Sequence, residues 1–112
     1  MSKRSVGKLV RDKIRDLPGH PPNVAFHELA PVSIVSALFD KLREEVSELE
    51  EAETTEDFIE EMADVIEVLR ALIHAKKIKA KVIETVRLLK LEEKGGFKKG
   101  IYMMTEGVKE DQ

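Results

Sequence analysis

The sequence predicts an all-α fold, a helical hairpin or four-helix bundle, and three observations carry that expectation. Apolar residues recur at helical spacing over three long stretches, 32–52, 55–74 and 79–94. Residues that start or stop helices, Thr54-Thr55 and Gly95-Gly96, punctuate those stretches. Segments of strand character are brief: 24–29, closed by Pro31, and 101–104, which together would add no more than a short two-stranded β element.

The elements follow in order. Residues 6–17 set Val6, Leu9, Val10, Ile14 and Leu17 on one side and Lys8, Arg11, Lys13 and Arg15 around the rest. That pattern fits a short amphipathic helix or an arm packed on a neighbour. Pro18-Gly19-His20-Pro21-Pro22 ends it, because proline cannot continue a helix and glycine frees the backbone. From 32 to 52, Val35, Leu38, Leu42, Val46 and Leu49 form a narrow apolar stripe. Glu45 lies about 60° from the centre of that stripe and Glu48 about 60° further round, with Lys41 and Ala52 on the same file and Glu44 turned toward solvent.

Thr54-Thr55-Glu56-Asp57 reads as a capping box, a threonine N-cap followed three residues later by a carboxylate. The helix it opens is the most apolar of the chain and is expected to be central: from Met62 to Ile73 only Asp64, Glu67 and Arg70 are polar. Asp64 is therefore expected to be at least half buried. A buried carboxylate must be paired, protonated or bound to a metal. Residues 75–81 make a basic turn, after which 79–94 forms the last helix with Val82, Ile83, Val86 and Leu89 facing inward. Gly95 then offers the left-handed backbone of a helix C-cap, and 97–100 is a basic loop.

The 112 residues are expected to form a single domain, 1–112. Aromatics are 4% and tryptophan is absent, so the core rests on Leu, Ile, Val and Met. Without cysteine there is no disulfide, thiolate metal site or cysteine nucleophile. No apolar run approaches the roughly 20 residues that cross a bilayer. The basic N-terminus has no apolar signal-peptide core, so a cytoplasmic protein is expected.

The net charge of -3 conceals a sharp division. Residues 44–67 hold twelve acids and no Lys or Arg, while the rest of the chain has ten acids against nineteen bases. The bases lie on no single long face and the acidic block would repel phosphate, which argues against nucleic-acid binding.

Within the block, Glu45 with Glu48 and Glu61 with Asp64 are each spaced three apart, which places both carboxylates on one helix face about 5–6 Å apart at Cβ. The short connection makes the two helices antiparallel neighbours. Two readings of four converging acids stand side by side: a solvated face, as acidic helices commonly are, or a site for Mg²⁺ or Mn²⁺, which prefer oxygen ligands. Zinc is disfavoured, because cysteine is absent and His20, His27 and His74 are scattered. The basic clusters, Lys8, Arg11 and Lys13 at one end and Lys98 and Lys99 at the other, read as wet surfaces or as phosphate contacts.

The pattern E-E-x-x-E at Glu44, Glu45 and Glu48, followed by E-x-x-D at Glu61 and Asp64, resembles the signature of the all-α nucleotide pyrophosphohydrolases of the MazG-like superfamily. Lys8-Leu9-Val10-Arg11-Asp12-Lys13-Ile14 and Lys94-Gly95-Gly96-Phe97-Lys98-Lys99-Gly100-Ile101 are similar to end motifs of its phosphoribosyl-ATP pyrophosphohydrolase-like subgroup, so that the resemblance spans roughly residues 7–104.

The resemblance implies a helical bundle assembled as a homodimer or homotetramer. It further implies Mg²⁺, with Mn²⁺ as a substitute, held by Glu45, Glu48, Glu61 and Asp64, and hydrolysis of a nucleoside triphosphate or related nucleotide to monophosphate and pyrophosphate. Glu44 joins these four as a catalytic candidate, for a proton or a second ion, and Lys8, Arg11, Lys13, Lys41 and Lys98 are candidates for binding substrate. The expected role is clearance of unwanted nucleotides. The alternatives are phosphoribosyl-ATP hydrolysis in histidine synthesis and a non-catalytic metal-binding helical oligomer.

Overall fold

The computed structural model describes residues 7–105, and among them are three α-helices, one 3-10 turn and no strand. The helices are α1 (Pro31–Glu51), α2 (Thr55–Ala75) and α3 (Ala80–Lys94), each within a residue or so of its expected bounds. The chain divides into two compact units, 1–80 and 81–112.

The first unit is the hairpin of α1 and α2. Pro31 opens α1, where its fixed φ suits a helix start and its missing N–H leaves nothing unpaired. Ala52 ends α1 in extended backbone. Thr54 then caps α2, its hydroxyl accepting from the Asp57 N–H at 3.0 Å, with Glu56 and Asp57 placed where the helix dipole favours acids. At the far end Ile78 N–H bonds the Ile73 carbonyl at 3.1 Å and Lys77 N–H bonds His74 at 3.0 Å, a Schellman closure with Lys77 at φ 59°.

The helices meet along seams spaced alternately by four and three residues, as in a coiled coil. On α1 the seam runs through Leu38, Leu42, Glu45 and Leu49; on α2 it runs through Glu61, Val65, Val68, Leu72 and Ala75. Leu38, Val68 and Leu72 are buried, with Leu9, Ile34, Val35, Leu42, Ala71 and Ala75 packed around them. The apolar core thus fills the end of the hairpin away from the connection, and two glutamates occupy seam positions near the connection. Val46, expected in the stripe, is 39% exposed.

Of the two forms expected for the first segment, the arm is the one found: residues 7–13 form no helix, Leu9 packs on the hairpin, and only Ile14–Asp16 make a 3-10 turn. A stretch of this length between glycines is short for an isolated helix, which is marginal below about 12–15 residues, and its apolar residues are used in tertiary packing instead. The strand expectation is corrected: 24–29 and 101–104 form none. Pro21, Pro22 and Pro31 remove backbone donors around the first, and Ile101, Tyr102 and Met103 of the second are exposed. Val6 lies outside the described residues.

The second unit carries most of α3. Thr85 bonds back to the Lys81 carbonyl at 2.9 Å and Arg87 forms a bidentate pair with Glu84. Gly95, at φ 82°, donates to Leu91 at 2.8 Å and supplies the expected left-handed C-cap. Val82, Ile83, Val86 and Leu89, expected to face inward, are exposed.

Candidate active site

Glu45 is the one buried charged residue among those described, 5% exposed. It sits there because the seam passes through its position, not through Val46. Its Oε2 lies 3.2 Å from Lys41 Nζ, while its Oε1 is buried without a hydrogen-bond partner. Glu61, at the opposing seam position on α2, has a second such atom, its buried Oε2. Glu45, Glu61 and Asp64 bring carboxylate oxygens within 4.8 Å of one another, and so do Glu44, Glu45 and Glu48. Glu45 is the shared member. Glu48 is exposed on the flank, and the Asp64 side chain is 37% exposed, in line with the half-burial expected for it.

Buried carboxylate oxygens facing one another cost free energy unless a proton or a cation lies between them. The Glu61 carboxyl is accordingly pushed from 4.5 up to about 7. Burial is the largest cause, followed by the nearness of the Glu45 carboxyl and by the charges of Glu48, Glu45 and Asp64. Between pH 4.5 and about 7 the folded protein therefore holds a proton that the unfolded chain has lost. Unfolding in that window releases a proton, so Glu61 makes the cation-free fold less stable as pH rises through it. A divalent cation relieves the same repulsion without a proton. The donor set is all oxygen, with neither Cys nor His, which fits a hard divalent ion and not zinc.

The sequence places no base inside the acidic block, yet bases from outside it reach in. Lys41, one turn before Glu45, lies 3.0 Å from Glu44 and 3.2 Å from Glu45. Burial depresses its ammonium, and the hydrogen bonds to those two glutamates more than restore it, leaving it raised. Arg11 Nη2 donates to Asp64 Oδ1 at 2.6 Å, and Lys8 stands 3.9 Å from Glu44. Three of the five candidate substrate-binding residues thus touch the acids directly. Lys13 is exposed at the start of the 3-10 turn, and Lys98 is exposed in the second unit. The clue to the Lys41 pairs was its i, i+3 and i, i+4 spacing to Glu44 and Glu45. The Arg11 contact joins residues 53 apart and has no local signal.

The family model described as phosphoribosyl-ATP pyrophosphohydrolase matches residues 10–87, a span that takes in both helices of the hairpin and all four acids of the two pairs. The chain belongs to the phosphoribosyl-ATP pyrophosphohydrolase family. It is thereby an all-α, MazG-like nucleotide pyrophosphohydrolase, an enzyme acting on acid anhydrides. Searches of curated proteins and of solved structures give no significant match. The pyrophosphohydrolase match stops short of the 94–101 motif, so Lys98 lies beyond it and Lys8 before it. No helix among the described residues is long and apolar enough to cross a membrane.

Proposed function

We propose that this pyrophosphohydrolase is a Mg²⁺-dependent enzyme that cleaves a nucleoside triphosphate between the α- and β-phosphorus, yielding monophosphate and pyrophosphate, and that it clears unwanted nucleotides in the cytoplasm. The observation that carries the metal reading is the pair of buried, unpartnered oxygens on Glu45 and Glu61 beside Asp64. Glu45, Glu48, Glu61 and Asp64 would hold the ion, with Mn²⁺ able to substitute for Mg²⁺. When bound, such an ion neutralises phosphate charge and makes water a better nucleophile at neutral pH.

The chain's own residues supply the rest. Phosphoryl transfer depends on positioning and charge neutralisation more than on a covalent nucleophile, so the absence of cysteine costs nothing. Glu44, held by Lys41 and Lys8, is the candidate to accept the proton of the attacking water, or to hold a second ion. Arg11, Lys8, Lys41, Lys13 and Lys98 are the candidates for the phosphates. We take the 112 residues to act as one domain; the family match, which runs through the boundary between the two units, supports that reading.

The family description favours a second reading, phosphoribosyl-ATP itself as the substrate. One assay separates the two. Common nucleoside triphosphates and phosphoribosyl-ATP are each incubated with the protein and Mg²⁺, and pyrophosphate and orthophosphate are measured separately. Pyrophosphate from one or more triphosphates is the expected result. Turnover of phosphoribosyl-ATP alone would replace nucleotide clearance with a step of histidine synthesis, and orthophosphate as the product would overturn both readings.

Assembly as a homodimer or homotetramer belongs to the same proposal. Phe58, Ile59, Ile66 and Leu69 leave an apolar face of α2 between 42% and 61% exposed, a surface of the kind that copies of a chain cover. Light scattering at micromolar concentration is expected to give at least twice the chain mass; the mass of a single chain would remove this part.

A further inference from the structure

The segment before the 3-10 turn is seated on the hairpin by Leu9, which packs against the cluster of Leu38, Val68 and Leu72. One residue earlier Lys8 approaches Glu44 on α1, and two residues later Arg11 meets Asp64 on α2. Leu9 is thus a plug with a cationic arm on either side, one for each helix. The segment's far end is tied down separately, by Arg15 to Glu28 at 2.9 Å and by His20 Nε2 lying 2.9 Å from the Ile14 carbonyl oxygen. The site between the arms is more than a surface acidic cluster, since Glu45 is 5% exposed and its Oε1 has no partner.

We infer that Arg11 is a displaceable counter-ion: it holds Asp64 while no divalent cation is bound, yields Asp64 to the cation, and then turns its guanidinium to the phosphates of the nucleotide. The inference rests on the reading of Glu45, Glu61 and Asp64 as cation ligands. Arg11 and the cation want the same carboxylate, and two positive centres on it repel each other. The Arg11 side chain is 58% exposed, and ion pairs of that kind contribute little, so exchanging it costs little. A divalent ion shared among three carboxylates has the stronger claim. The released guanidinium is a planar fork that matches phosphate oxygens, and the Leu9 contact anchors its segment beside the site.

The signature is a pair of opposite signs from one substitution. Mn²⁺ binding is measured by electron paramagnetic resonance on the full chain, first with the metal alone. It is then measured with the Mn²⁺ complex of an ATP analogue that carries a methylene between the α- and β-phosphorus. Arg11→Ala is expected to bind Mn²⁺ alone about two- to fivefold more tightly, because the competitor is gone. It is expected to bind the nucleotide complex roughly tenfold more weakly, because a charge-assisted phosphate contact is gone.

Arg43→Ala, which removes the same charge from an exposed pair with Asp40 on α1, should change neither value. Unchanged or weaker Mn²⁺ binding by Arg11→Ala would overturn the counter-ion role, and unchanged binding of the nucleotide complex would overturn the transfer to phosphate. If the wild-type protein binds no Mn²⁺ at all, the cation site itself is wrong and the inference falls with it.

Discussion

Glu61→Gln is expected to lose pyrophosphate release on the order of a hundredfold or more, while the cation-free protein becomes harder to melt at pH 8. The two effects have one cause. At pH 8, above the value of about 7 to which Glu61 is pushed, its carboxylate is charged against Glu45, Glu48 and Asp64. Glutamine keeps the shape and removes the charge, so repulsion falls and so does the capacity to hold a cation. At pH 5 the native Glu61 already carries a proton, and the substitution should change the melting temperature far less.

Glu45→Gln is expected to share the loss of turnover, with the change falling on kcat more than on KM if the ion acts chiefly in the transition state. Pyrophosphate release with saturating nucleotide, together with thermal melts in chelator at both pH values, checks the pair. A variant that melts lower at pH 8 would show that the lost activity is only a folding defect. Retained turnover would remove Glu61 from the site.

That a loss of activity should come with a gain of stability follows from where the seam puts these residues. Leu38, Leu42, Glu45 and Leu49 keep the spacing of a helix–helix interface, as do Glu61, Val65, Val68 and Leu72. Leucine or valine at 45 and 61 would continue the core toward the connection. Two carboxylates there weaken the hairpin, and local rules are broken in this way at functional sites.

The hairpin was legible because its signals are local. Apolar spacing, the Thr54 cap and the Gly95 stop set the three helices almost to the residue. The segment before Pro18 allowed a helix or a packed arm, and local signals could not choose between them. Leu9 and Ile14 carry a helical pattern, but Leu9 is used to reach the hairpin and Arg11 to reach Asp64, contacts far away in sequence.

Spacing singled out Glu45, Glu48, Glu61 and Asp64 as candidates, and Asp64 is about as buried as its apolar helix implied. The order of burial could not be read that way. A stripe that passes through Val46 and a seam that passes through Glu45 differ by one residue at that turn, and only the packing of α2 against α1 chooses between them. The pairing of Arg11 and Lys8 with these acids was hidden too, since they reach the acids from a segment far away in sequence.

A bound divalent ion should stabilise the fold by mass action, because the unfolded chain offers no assembled site. At a hundred times the dissociation constant the gain is about 2.7 kcal/mol, which for a chain of this size means a rise in melting temperature on the order of 10 °C. Asp64→Asn removes one carboxylate from the proposed triad of Glu45, Glu61 and Asp64 and also frees Arg11. It should keep the helix content and lose most of that rise.

The measurement is a set of thermal melts at pH 8, with chelator or with millimolar Mg²⁺ or Mn²⁺, on the wild type and Asp64→Asn. A large metal-induced rise in the wild type that disappears in the variant is the predicted result. A wild-type melting temperature indifferent to both ions, or an equal rise in both proteins, would contradict the assignment of Glu45, Glu61 and Asp64 as a cation site.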